Sequence, residues 1–174
     1  MFLALEDDPR ENGPSPGNER ETLKEFLRCQ RLTLEIKCSG LDAEQLARRA
    51  VEPSTMSLLG LIRHLAEVER SWFRRTMAGL DAPRLYRGLE RPDGDFDGAV
   101  ADPAVVEEAW ATWRAEAAFT DRFIAEAPGL DVVGADKDDP VSLREVVVHL
   151  IEEYARHMGH ADFLRELIDG RLGQ

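Results

Sequence analysis

Nowhere in the 174 residues does an apolar run approach the roughly 20 residues that a membrane-spanning helix needs, so a transmembrane span is excluded. The opening Met-Phe-Leu-Ala-Leu is too short for a signal-peptide core. It has no basic residues before it and runs directly into Glu6, Asp7 and Asp8, so the expected location is cytoplasmic. Positive charge is in deficit: 22 Lys and Arg against 34 Asp and Glu leave a formal charge of -12, which repels a phosphate backbone and argues against nucleic-acid binding. Cysteine is scarce. Cys29 and Cys38 sit on opposite faces of one expected helix, about 13 Å apart along its axis, too far for a disulfide. Both read as buried or idle thiols of a reducing compartment. Only four histidines are present, which limits the nitrogen donors available to any metal.

What remains is an ordinary soluble composition, 43% hydrophobic and 32% charged, in a length that suits one domain. Such a chain can close a core without disulfides or a structural metal, which leaves any metal free to be functional.

Residues 1–17 mix acids with Pro9, Gly13, Pro14, Pro16 and Gly17 and read as an extended arm, followed by a single domain over 18–174. Asn18 is an N-cap for a first long helix over Glu19–Ser39, with Leu23, Phe26, Leu27, Leu34 and Ile36 at helical spacing and Gly40 at the C′ position. Asp42 and Gln45 form a capping-box variant for a short helix to about Arg49. Ser54 or Ser57 opens the second long helix, which ends near Gly79. Its stripe is Leu58, Leu61, Leu65, Val68 and Trp72, with Arg63, Glu67, Arg70 and Arg74 expected opposite. The proline- and glycine-rich stretch 80–102 is long enough to cross a bundle from end to end.

Asp102-Pro103 starts a third long helix that carries Val106, Trp110, Trp113, Ala117 and Ile124 on one face and stops at Pro128-Gly129. Phe119 and Phe123 lie on another face, where the amino-terminal arm or a second subunit can meet them. Ser142 and Glu145 make a full capping box for a last helix to Gly170. Four long helices with almost no strand signal give an all-α four-helix bundle.

The last helix carries His149, Glu153, His157 and His160 within an arc of roughly 80°. Its apolar residues centre on the same side, so Glu153 and His157 face the core. Burying a carboxylate beside an imidazole is costly, and a divalent cation compensates both. The fourth histidine, His64, flanks the apolar stripe of the second helix and can supply a third ligand. His64, Glu153 and His157 would leave an open coordination position, as a catalytic site requires. The alternative is ordinary: a Glu–His pair on a solvated helix and a hydrogen-bonded core histidine. His149 and His160 lie at the margin of the face, where His160 can shuttle protons or fix ligand orientation. Asp93-Gly-Asp-Phe-Asp-Gly98 copies the first half of a calcium loop but has Ala104 where a bidentate Glu belongs, so a solvated acidic turn is expected.

The segments Ser57-Leu-Leu-Gly-Leu-Ile-Arg-His-Leu-Ala-Glu-Val-Glu-Arg-Ser-Trp-Phe73 and Glu152-Glu-Tyr-Ala-Arg-His-Met-Gly-His-Ala-Asp162 resemble the DinB-like superfamily, from about residue 20 to the end. His64 with Glu153-x-x-x-His157 is similar to its mycothiol-dependent maleylpyruvate isomerase branch, whose metal triad is His, Glu and His. Many other members have a histidine where this chain has Glu153. The resemblance implies an up-down-down-up bundle with a long crossover between helices 2 and 3, and a divalent metal, often zinc or nickel. It further implies a metal-activated low-molecular-weight thiol such as mycothiol, transferred to a small electrophile or used to isomerise one. Arg63 and Arg70 can meet cofactor carboxylates only if they border the mouth, and their outer-face placement argues against it. The other function classes are a metal- or small-ligand-binding bundle without catalysis, possible as a homodimer, and a hydrolase using metal-bound water.

Overall fold

The computed structural model describes residues 5–15, 17–135 and 140–173. Residues 1–4 and Pro16 of the expected arm lie outside the described residues. The rest of the arm is turned: a 3-10 turn spans Leu5–Asp7, and the Glu11 amide donates to Asp8 O at 3.1 Å. It lies on the first long helix, where Arg28 donates to Pro9 O at 3.1 Å and Arg10 to Thr33 at 3.2 Å.

Helix α1 spans Glu19–Cys38, with the Asn18 side chain accepting from the Glu21 amide. The chain turns away two residues after it, at Gly40, whose φ of 71° is the left-handed conformation that glycine adopts without steric cost. The short α2, Ala43–Ala47, carries the Asp42–Gln45 capping box. Helix α3, Leu58–Glu69, is capped by Ser57 and continues as π-helical turns over Arg70–Met77. A one-turn helix, α4 (Gly94–Asp97), sits inside the long connection. Helix α5 spans Pro103–Glu126 behind Asp102, and α6 spans Leu143–Asp169 behind the Ser142–Glu145 capping box. Each cap satisfies amide groups that the first helical turn leaves without partners.

The chain is all-α: among the described residues there is no strand, only two isolated bridges. Helix α3 packs on α5 and α6, and α1 packs on α6. Leu34, Leu61, Leu65, Trp113, Leu150 and Leu164 join one core to which all four long helices contribute. Each such side chain contributes roughly 1.5–3 kcal/mol on burial. No helix among the described residues is long and apolar enough to cross a membrane.

Two expectations about faces need correction. Phe26 is 57% exposed, while α1 turns Arg31 inward, where an ion pair with Glu69 satisfies it. Arg63 and Glu67, expected on the solvent side of α3, are buried because the connection after α3 folds back over that face. Arg63 donates to Asp95 O and Gly94 O, and Glu67 accepts from the Leu85 and Tyr86 amides. Phe119 and Phe123, on the face expected to meet the arm or a second subunit, are partly buried against the core. The Phe123 ring lies 5.9 Å from Phe73, and Arg74 caps Phe119 at 4.1 Å.

Candidate metal centre

His64 enters from the middle of α3, and Glu153 and His157 enter from consecutive turns of α6. One turn of helix brings residues four apart onto the same ridge, which is why the carboxylate and imidazole converge. The structure brings these three together: one ligand atom from each lies within 4.8 Å of the others. His64 Nε2 is 3.1 Å and His157 Nε2 is 3.4 Å from Glu153 Oε1. The two imidazole rings are 4.7 Å apart between centroids. Side-chain exposures of 11% for His64, 22% for Glu153 and 12% for His157 describe a group sunk below the surface yet reachable from it.

The other two histidines are placed differently. His149 is exposed and meets the edge of Trp72, 5.0 Å away. His160 lies one turn beyond His157, with the two Nδ1 atoms 3.3 Å apart. A cleft of about 240 Å³ opens on the group, lined by His64, Glu153, Trp72, His149, Arg84 and Arg87. A larger groove of about 610 Å³ between α1 and α5 contains no histidine. That groove is lined by Lys, Arg, Glu and Asp side chains, whereas the group of His and Glu donors that could hold a metal lies at the smaller cleft.

Asp95 was not singled out by the sequence pattern. It is buried at the start of α4, and its Oδ2 lies 2.8 Å from His64 Nδ1. The half calcium loop that was expected to be a solvated acidic turn thus turns its middle aspartate inward. Asp93 and Asp97 remain exposed. The only sequence signal was Asp95 between two glycines, a spacing that lets a backbone approach another element closely.

Burial disfavours the charged form of His64, but its hydrogen bonds to Asp95 and Glu153 outweigh this and raise its pKa. Burial likewise opposes the charge on Glu153 and Asp95, and in both the hydrogen bond with His64 prevails and lowers the pKa. His157 is pushed down to about 4 by burial and then by the charge of His64. It therefore stays neutral at physiological pH, the form that ligates metals. Two imidazole nitrogens and one carboxylate oxygen are the donors that suit zinc or nickel, and three protein ligands leave a position open. The donor set fits a single divalent ion.

The family model described as mycothiol-S-transferase matches residues 22–170. Among solved structures, that of a conserved protein from Enterococcus faecalis is similar in fold. It is 19% identical, the match covers 89% of this chain and 99% of that one, and the TM-score is 0.63. None of the curated proteins matches the chain.

Proposed function

Because the chain belongs to the mycothiol-S-transferase family, within the DinB-like proteins, we propose that it is a metal-dependent enzyme acting with a low-molecular-weight thiol. In this reading His64, Glu153 and His157 hold zinc or nickel, and mycothiol or a close relative is transferred to a small electrophile or used to isomerise it. The observation that supports it is the convergence of three donors from α3 and α6 beneath a cleft. When bound, the metal supplies Lewis acidity that lowers the pKa of a thiol.

The chain's own residues do the rest. His157 arrives neutral, so no proton has to leave it before it binds a cation. His160, against His157 and partly exposed, orients that ring through the Nδ1–Nδ1 contact or relays a proton. Phe96 and Trp72 supply apolar surface at the site, with Phe96 stacked 5.3 Å from His64 and Trp72 lining the cleft. Neither cysteine is the nucleophile in this account. Burial pushes the Cys38 thiol up to about 12 and raises that of Cys29 as well.

The scaffold is taken as an up-down-down-up bundle, supported by the long connection after α3 and by the α1–α6 and α3–α5 packing. A cytoplasmic location and a homodimer belong to the same proposal. The first is supported by two free thiols and the second by Phe163 and Leu167, both exposed on α6.

The test is thiol consumption with an electrophilic model substrate, with and without metal, for the wild type and His157→Ala. Metal-dependent consumption lost in His157→Ala supports the proposal. No consumption with the metal fully loaded makes the protein a binding module, and turnover without thiol makes it a hydrolase.

A further inference from the structure

We propose that Asp95 is a positioning residue: it holds His64 in the tautomer protonated at Nδ1, so that Nε2 is the nitrogen presented to the cation. The inference rests on the reading of His64, Glu153 and His157 as metal ligands.

An ionised carboxylate can only accept hydrogen bonds, so a neutral imidazole bonded to it carries its hydrogen on the bonded nitrogen. That nitrogen is Nδ1, 2.8 Å from Asp95 Oδ2, while Nε2 is the atom turned toward Glu153 Oε1 at 3.1 Å. A carboxylate behind a ligating histidine fixes its ring and raises its basicity. Asp95 is fully buried, and its other oxygen accepts from the Phe96 amide at 3.2 Å, so the carboxylate is itself held. The next residue adds a second restraint, because the Phe96 ring stacks on His64 with an interplanar angle of 26°. Together Asp95 fixes the edge of the imidazole and Phe96 its plane.

The same stretch of α3 also fastens α4 in place. Arg63 donates from Nε to Asp95 O at 2.9 Å and from a terminal nitrogen to Gly94 O at 3.1 Å, with its guanidinium 3.8 Å above the Tyr86 ring. Two glycines permit the close approach. A Cβ on Gly60 would fall 2.7 Å from Phe96 Cδ1, and one on Gly94 would fall 2.2 Å from Tyr86 O. Residues 60, 63 and 64 thus form a bracket on α3, and α4 is the element that the bracket holds.

The experiment uses the full chain with zinc as the probe. Zinc affinity is measured by chelator competition for the wild type, Asp95→Ala, Asp95→Asn and His64→Ala, with circular dichroism as the folding control. Long-range proton–nitrogen NMR reads the tautomer of His64 in the zinc-loaded protein. The expected result is an Nδ1-protonated His64 in the wild type and affinity weakened about 10–100-fold in Asp95→Ala. Asp95→Asn keeps an oxygen to accept from Nδ1 while giving up the acceptor for the Phe96 amide, and should lose less than Asp95→Ala. Wild-type affinity in Asp95→Ala, or zinc bound through Nδ1 in the wild type, overturns the inference. Should Asp95→Ala fail to fold, the tautomer and the Asp95→Asn affinity decide. If His64→Ala binds zinc as tightly as the wild type, the ligand assignment fails instead.

Discussion

Tyr154, next in sequence to Glu153, donates its hydroxyl to Glu69 at 2.7 Å in the buried centre of the bundle. Trp113 Nε1 donates to the same hydroxyl at 2.7 Å, and Arg31 reaches both Glu69 oxygens at 2.9 and 2.7 Å. Four residues from α1, α3, α5 and α6 therefore share one buried polar network. Removing Glu69 would leave Arg31 buried without its main counter-charge, so Glu69→Ala should cost roughly 3–5 kcal/mol. Tyr154→Phe strips one partner each from Trp113 and Glu69 and should cost about 1–3 kcal/mol. Urea unfolding of the metal-free proteins checks both. Two variants as stable as the wild type would show that the network does not hold the helices together.

The depressed pKa of His157 carries a pH signature. Its folded value is about 4 against an ordinary 6.5, so between these values the unfolded chain binds a proton that the folded chain refuses. Its contribution to stability is therefore present above pH 6.5 and is lost as pH falls toward 4. His64, with its raised pKa, acts in the opposite direction, since its contribution is present below 6.5 and fades as pH rises. The difference in unfolding free energy between wild type and His157→Asn, measured without metal, separates the two. It should move against the wild type from pH 7.5 to pH 5, and a difference independent of pH would contradict the burial described for His157.

The thiol in this account comes from outside the protein. Cys38 is buried with its thiol pushed up to about 12, and should resist a thiol-selective reagent at pH 8 until the chain unfolds. Cys29→Ser should retain thiol-dependent turnover within about twofold, since the half-buried Cys29 also has a raised pKa. Loss of turnover in that variant would assign the nucleophile to the protein.

Much of this architecture is legible in the sequence because it is written locally. Asn18, Asp42, Ser57, Asp102 and Ser142 all cap the helices expected of them, and a cap needs only an amide two or three residues away. The ridge shared by Glu153 and His157 is equally local, and His64 was reachable because so few histidines compete with it. What could not be read depends on contacts across long stretches of chain. Asp95 meets His64 from 31 residues away, and only the folded connection shows that it points inward. The inward turns of Arg31 and of Lys37 are fixed by Glu69 and by Asp162, acids on other helices. Arg63 and Glu67 read as solvent-facing until the backbone of 85–95 is laid across them. A helical wheel assigns faces by apolar content and has no means of anticipating such partners.

The central claim is that His64, Glu153 and His157 together hold one cation. Metal content after dialysis, measured by mass spectrometry on folded wild type, His64→Ala, Glu153→Gln, His157→Ala and the control His149→Ala, tests it most directly. The account predicts about one equivalent in the wild type and the control, and well under half in each of the other three. Full retention in His64→Ala, Glu153→Gln and His157→Ala would contradict it.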